Sequence, residues 1–176
     1  MFVVLDLRPM LRGETNRISI DFALPPNHDE LPEVCAPVQV TGEVTNQAGY
    51  MRLTLTAVVP YRAACARCLD PVEGSFPVTL ERTVAAEDTL TEKQLEENVD
   101  EYAVISDGML DPDALMQEEI LLCFPTRFLC SDDCPGLCPK CGKSLKDGKC
   151  ACPDREPDPR WAVLGTLFDS DETDKQ

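Results

Sequence analysis

Hydrophobic and polar positions alternate through the first half of the chain. Between Arg17 and Leu24, Ile18, Ile20, Phe22 and Leu24 fall on one side, opposite polar neighbours apart from Ala23. Val38, Val40 and Val44 alternate with Gln39, Thr41 and Glu43. Met51, Leu53, Leu55, Ala57 and Val59 line one face, with Arg52, Thr54 and Thr56 opposite. Phe76, Val78, Leu80 and Val84 repeat the pattern. A period of two predicts strands with one buried face. The segments between carry turn chemistry: a proline-rich loop over Pro25–Pro32, Asn46-Gln47-Ala48-Gly49, and a cysteine turn before Phe76. Strands joined this way predict an antiparallel sheet.

The period then changes. Residues 86–101 are polar apart from such positions as Leu90 and Leu95, and read as a loop or a short helix. From Asp111 the spacing becomes helical. Asp111 suits the cap, Pro112 the first helical position, and Asp113 the positive end of the helix dipole. Leu115, Leu122 and the pair Met116/Ile120 give the helix an apolar stripe, expected to cover the sheet, and Pro125 ends it. The fold class is therefore α+β: a mainly antiparallel β-sheet, one covering helix and a Cys-rich, zinc-ribbon-like C-terminal module. The expected organisation is a sheet region with a Cys-x-x-Cys turn over 1–85 and an acidic connector and helix over 86–125. A Cys-rich metal-binding module packed on the sheet follows over 126–168, and a frayed acidic tail over 169–176.

Charge changes the picture. The 176 residues carry 16 basic and 32 acidic side chains, a formal charge of −16. That excludes a uniformly basic protein that coats nucleic acid. Most of the excess is one block: residues 84–120 hold twelve acids against one base. It reads as a solvated connector or as a surface for a basic partner. His28 is the single histidine, which excludes any catalytic scheme needing two; in its polar loop it is expected to be exposed. The opening residues lack a basic stretch and Asp6 interrupts their apolar run, unlike a signal peptide. No apolar run approaches the roughly 20 residues that span a bilayer. The chain reads as cytosolic.

Cysteine is the outlier, with ten copies. In a reducing compartment that favours metal over disulfides. Eight fall in four pairs: Cys65/Cys68, Cys130/Cys134, Cys138/Cys141 and Cys150/Cys152. Two thiolates two to four residues apart let one tight turn present both sulfurs to one ion. Cys138-Pro139-Lys140-Cys141-Gly142 is the strongest, because glycine permits the left-handed geometry that often follows the second ligand. Leu69 in the equivalent place weakens the first pair. The preferred partition joins Cys138, Cys141, Cys150 and Cys152 in one site, and Cys65, Cys68, Cys130 and Cys134 in the other. Thiolate softness favours zinc, two ions in all, and each site is worth about 10–16 kcal/mol by analogy with small zinc peptides. An iron–sulfur cluster, a redox dithiol at Cys65/Cys68 and plain free thiols are the competing readings. Cys123, in an apolar run, reads as a buried small hydrophobe, and Cys35 as a lone loop cysteine.

Cys65-Ala-Arg-Cys68-Leu69, the helix ending at Glu119–Leu122, the run Cys130 to Gly142, Cys150-Ala-Cys152 and Asp158-Pro159-Arg160-Trp161 follow one another in an order that resembles the bacterial YceD family, named for accumulation of 23S ribosomal RNA. The resemblance implies a non-enzymatic role in 23S rRNA synthesis or accumulation, hence ribosome biogenesis, in the bacterial cytoplasm. The partner it implies is rRNA or a pre-ribosomal particle, reached directly or through a ribosomal protein. No catalytic residue is carried over. Pro135 departs from relatives, where a basic residue is commoner, and puts a phosphate contact there in doubt.

On that reading, contact to RNA would come from Arg62, Arg67, Arg127, Lys140, Lys143, Lys146, Lys149, Arg155 and Arg160, since phosphate neutralisation dominates such binding. Trp161 is a candidate for base stacking but more often such a residue anchors packing. The alternative is an acidic protein-interaction adaptor that grips a basic ribosomal protein without touching RNA, through Glu92, Glu96, Glu97 and Asp100. An enzyme is not expected. The sequence has no glycine-rich phosphate loop and no nucleophile–histidine–acid set, and four-cysteine sites are closed.

Overall fold

The computed structural model describes residues 3–90 and 101–153. The chain forms two compact units, Met1–Asp133 and Cys134–Gln176.

In the first unit, the alternating segments form strands β2 (Arg17–Leu24), β3 (Val38–Gln47), β4 (Tyr50–Ala64) and β5 (Pro71–Ala86). They pair antiparallel in sequence order. The β3–β4 turn has Ala48 and Gly49 both at positive φ, 53° and 90°, the geometry a two-residue hairpin needs. Asn46 Oδ1 accepts from Gly49 N at 2.9 Å and fixes it. Gly42 lies opposite Leu55, and a Cβ there would overlap the Thr54 carbonyl and Leu55, so the close approach of β3 to β4 requires glycine.

The inward positions are those the alternation marked. Ile20, Phe22, Leu24, Val38, Val40, Val44, Met51, Leu53, Leu55, Ala57, Val59, Val78, Leu80 and Val84 are buried in one aliphatic core. The sheet is not wholly antiparallel, however. A fifth strand, β6 (Tyr102–Ile105), adds to β5 in parallel and places Ala103 and Ile105 in the core. It comes from the segment read as an acidic connector. Four residues of Tyr-Ala-Val-Ile between charged neighbours carry too short a period to announce a strand. A two-stranded ribbon, β1 (Leu5–Asp6) with β7 (Met109–Leu110), and a one-turn helix α1 (Arg8–Leu11) bring Leu7, Met10 and Leu110 to the same core. A 3-10 turn spans Glu87–Thr89; the rest of the loop or short helix expected through 101 lies almost wholly outside the described residues.

The helix α2 spans Pro112–Cys123. Asp111 caps it as expected, accepting from Ala114 N at 3.0 Å, with Pro112 in the first turn. Its buried positions are Pro112, Asp113, Met116 and Ile120, and Leu115 is partly buried against the core. Leu122 does not join the stripe: it is 65% exposed, and Leu121 is 46% exposed. Cys123 is exposed as well, not buried, and its thiol lies 3.5 Å from Glu119 Oε1. Leu121 and Leu122 follow Ile120 by about 100° and 200° around the helix and so turn away from the Met116/Ile120 face that meets the core. His28 is exposed, as its polar loop implied.

One inward position on β5 is not apolar. Arg82, between Leu80 and Val84 on the buried face, is 5% exposed. Its guanidinium lies 3.4 Å from Glu119 and 3.9 Å from Glu118 of α2. A buried guanidinium needs such partners. Part of the acidic block is therefore committed to holding the helix on the sheet. Removing the charge and its stem together by Arg82→Ala should cost about 2 kcal/mol, because it empties a closed volume and leaves Glu119, whose side chain is only 21% exposed, without its counter-charge. Arg82→Met, which refills the space, should stay within about 1 kcal/mol of the parent. Urea unfolding of the two variants separates these outcomes.

Candidate metal centres

The β4–β5 hairpin is the longest in the sheet, and it carries the first pair of thiols at its tip. The ladder runs to Ala64 opposite Pro71, and Cys65 N continues it by donating to Asp70 O at 2.8 Å. Cys65-Ala66-Arg67-Cys68 is thus a turn held by a rigid ladder. Leu69 N donates to Cys65 O at 2.9 Å, and Leu69 adopts φ 65°. The second knuckle repeats this geometry: Gly142 N donates to Cys138 O at 2.8 Å, with Gly142 at φ 71°. The absence of glycine after Cys68 therefore does not alter the turn. Leucine takes the left-handed conformation that glycine takes for nothing, at about 1–2 kcal/mol.

The segment after α2 meets the hairpin tip through aromatic packing. Tyr61 of β4 stacks on Phe128, with centroids 4.6 Å apart. Phe124 joins Phe76 and Phe128, each at 5.6 Å. Gly74, facing Tyr61 across the ladder, leaves room for the tyrosine ring; a Cβ there would sit 2.6 Å from its hydroxyl. Phe128 O accepts from Ala66 N at 2.8 Å, and Asp132 O accepts from Arg67 Nη1 at 2.8 Å. This places Cys130 against the knuckle, with Cys68 and Cys130 sulfurs 3.6 Å apart. No sequence signal announced this aromatic cluster, because its four rings come from three separated segments.

Eight thiols converge in two groups. Cys65, Cys68, Cys130 and Cys134 form one, and Cys138, Cys141, Cys150 and Cys152 the other. Within each group all four sulfurs lie within 4.8 Å of one another. A zinc ion with sulfurs at about 2.3 Å in a tetrahedron sets sulfur–sulfur edges of about 3.8 Å. The 3.6 Å Cys68–Cys130 separation is close to that edge, and far from the roughly 2.05 Å of a disulfide. The donor sets therefore fit a tetrahedral, thiophilic cation. All ten cysteines are free thiols.

The backbone favours thiolate at the first cysteine of each knuckle. The N–H groups of Cys68 and Arg67 hold the Cys65 thiol down at about 6. Those of Cys141 and Lys140 do the same for Cys138, also to about 6. The Cys152 thiol is pushed up to about 12 by its hydrogen bonding with Cys141 and Cys150. Four crowded sulfurs cannot all ionise beside one another, and a bound cation removes the conflict.

The basic residues are placed less uniformly. Arg62 is paired with Glu73 at 2.8 Å, and Arg67 is tied to the Asp132 carbonyl. Arg127 is exposed. Lys140, Lys143, Lys146 and Lys149 are all exposed, and Lys140 Nζ donates to Pro153 O at 2.8 Å. Arg155, Arg160 and Trp161 lie outside the described residues, as do the acidic tail and Glu92, Glu96, Glu97 and Asp100. Cys35 is exposed in its loop. Among the described residues, no helix is long and apolar enough to cross a membrane.

Comparison with known proteins gives a family model described as "Large ribosomal RNA subunit accumulation protein YceD", which matches residues 53–168. That stretch contains all eight clustered thiols. Uncharacterized proteins of Mycobacterium tuberculosis and Mycobacterium bovis are each 37% identical over 112 residues, 64% of this chain and 53% of theirs. One of Mycobacterium leprae is 30% identical over 138 residues, 77% of this chain and 61% of its own. The chain thus spans between half and two thirds of the length of these relatives. No solved structure matches.

The two knuckles invite a direct comparison by substitution. Leu69→Gly should leave the metal-loaded protein as stable or more stable by about 0.5 kcal/mol, since relief of the left-handed strain is offset by added freedom in the unfolded chain. Leu69→Val, β-branched at the same φ, should lose about 1 kcal/mol or more. Thermal unfolding of the two variants side by side measures the difference.

Proposed function

Since the chain belongs to the YceD family, we propose that it is a non-enzymatic ribosome-biogenesis factor of the bacterial cytoplasm, supporting 23S rRNA accumulation and large-subunit assembly, with structural zinc in both four-cysteine sites. The match over residues 53–168 is the observation that carries the reading, since it takes in every clustered thiol. Zinc is supported by the donor sets: all-sulfur, four-fold and presented by paired turns. Such sites leave no open position for a water or substrate, which favours structure over catalysis. The ions would stabilise the second unit most. Its described part, Cys134–Pro153, buries only Cys134, Gly136 and Cys138 and contributes no residue to the aliphatic core.

The test has a chemical arm and a cellular arm. Metal analysis of the purified protein should give two zinc ions per chain. Cys138→Ser should reduce that to one, and Cys68→Ser should do so independently. Iron in their place would identify a cluster instead. Depleting the protein in its host should lower the ratio of 23S to 16S rRNA, and the parent sequence should restore it. An unchanged ratio overturns the proposal. The adaptor reading would be favoured if neutralising Glu92, Glu96, Glu97 and Asp100 released a basic ribosomal protein while RNA was never bound. Strong chelation gives a further expected outcome: amide protection over Cys134–Pro153 should vanish, while the core of strands β3, β4 and β5 keeps its protection.

A further inference from the structure

We propose that the second thiol group, Cys138, Cys141, Cys150 and Cys152, is a peroxide-reactive site, oxidised to two disulfides with release of its ion while the first group keeps its own. The inference rests on the zinc reading above and assigns a modification to one of its two sites.

The two groups are shielded differently. In the first, Cys65, Cys68 and Cys134 are buried and Cys130 is exposed. In the second, Cys138 is buried, Cys150 and Cys152 are half-buried and Cys141 is exposed. An open cleft of about 280 Å³ runs against Cys138, Cys150 and Cys152, with Pro139, Leu145 and Pro153 among its walls. A single water needs about 10–15 Å³ of such space. An ion seated about 2.3 Å from each sulfur lies between them and leaves most of the cleft open. A molecule the size of hydrogen peroxide therefore reaches the sulfurs of the second group directly.

The backbone differs in the same sense. Cys65 N extends the β4–β5 ladder by donating to Asp70 O, so the first knuckle is as fixed as the sheet. Cys130, though exposed, sits between two ties to that knuckle: Phe128 O accepts from Ala66 N and Asp132 O from Arg67 Nη1, both at 2.8 Å. Around the second group, Cys138 N donates to Lys143 O at 2.8 Å, Leu145 N to Gly136 O at 3.0 Å, and Gly148 N to Leu145 O at 3.3 Å. These bonds close within the loop and involve no residue of the aliphatic core. The segment bearing Cys150 and Cys152 is held to the knuckle by a side chain, with Lys140 Nζ donating to Pro153 O at 2.8 Å. Local opening costs least where few buried apolar contacts oppose it.

Attack falls first on exposed Cys141. Its thiolate attacks one peroxide oxygen, the O–O bond breaks, and the departing hydroxide takes a proton to become water. The sulfenic acid so formed has three other sulfurs within 4.8 Å. One of these thiolates attacks it: the S–S bond forms, the S–O bond breaks, and a second hydroxide leaves and is protonated. Each disulfide thus consumes two thiolates, one peroxide and two protons and yields two waters. Closing a sulfur pair to about 2.05 Å needs the backbone to give. The loop around the second group allows that, and the ladder beneath the first resists it. Since the thiolate is the metal ligand, four sulfurs taken into disulfides release the ion.

The experiment uses the full chain loaded with two zinc ions, excess hydrogen peroxide and a chromogenic zinc chelator. Zinc should leave in two phases of one ion each, the first at least about tenfold faster. Cys138→Ser should remove the fast phase, and Cys68→Ser the slow one. Quenching the parent when one ion has left, then alkylating under denaturing conditions, allows the thiols to be mapped by mass spectrometry. Cys138, Cys141, Cys150 and Cys152 should be joined in disulfides, and Cys65, Cys68, Cys130 and Cys134 alkylated. Cys35 and Cys123 are exposed thiols outside both groups, so the double variant Cys35→Ser/Cys123→Ser should keep both phases. Dithiothreitol and fresh zinc should return the count to two ions. Release of both ions in a single phase overturns the assignment, as does a first disulfide among Cys65, Cys68, Cys130 and Cys134; in either case the zinc reading stands. A chain that carries no zinc before oxidant is added overturns both.

Discussion

Four sulfurs brought within 4.8 Å of one another repel as soon as more than one of them ionises. A chain will hold them so only if the surrounding backbone dictates it and a cation relieves it. The first condition is met by the backbone of each knuckle, and the donor sets fit the second. In each knuckle the first cysteine accepts from the N–H groups two and three residues on, and its thiol is drawn down to about 6. The crowding is visible at Cys152, driven up to about 12 by its neighbours. The remaining architecture can be understood as the means of bringing four pairs to two points.

The first point is reached by leverage from the sheet. The β4–β5 ladder is continuous from Met51–Val84 to Ala64–Pro71, so the aliphatic core at one end fixes the thiols at the other. A single-residue slip in this register would turn every inward side chain outward, which makes the tip position as secure as the core itself. The return segment is placed by rings and by backbone: Tyr61 against Phe128, and Phe128 O on Ala66 N. Arg82 contributes from the sheet's interior by fastening α2, from whose end that segment leaves. The second site has no such lever. Its ligands lie within fifteen residues of one another, and its turns are closed by local hydrogen bonds alone.

This difference explains what was legible in the sequence. Local features could be read directly: the period-two strands, the Asp111 cap, the pairing of cysteines and their division into two groups of four. Each depends on neighbours within a few residues or on a strong chemical constraint. What escaped depends on distant partners. β6 is too short to show its period, and its parallel pairing with β5 is a tertiary choice. Arg82 looks like an outward residue that breaks the alternation, until Glu118 and Glu119 arrive from thirty-odd residues on. Cys123 and Leu122 sit in an apolar run, but an unbroken apolar run does not say which side of the helix meets the core. Leu69 misled in the opposite sense. A residue type unfavourable for a conformation argues against it in the sequence, whereas the ladder and the Cys65 carbonyl impose it in the fold.

The same contrast between distant and local holds for charge. Within the first unit Arg8, Arg12, Arg17, Arg52, Arg62 and Arg82 are paired with carboxylates. In residues 134–153 of the second, four exposed lysines recur every third residue through the knuckle loop, and that stretch contributes nothing to the aliphatic core. Burying only Cys134, Gly136 and Cys138, that stretch is shaped by its thiols and its local hydrogen bonds. Metal and surface charge would then be coupled: an ion held by the four thiols would also fix the spacing of the ammonium groups along the loop. Without an ion the lysines would remain in the chain but lose their fixed spacing.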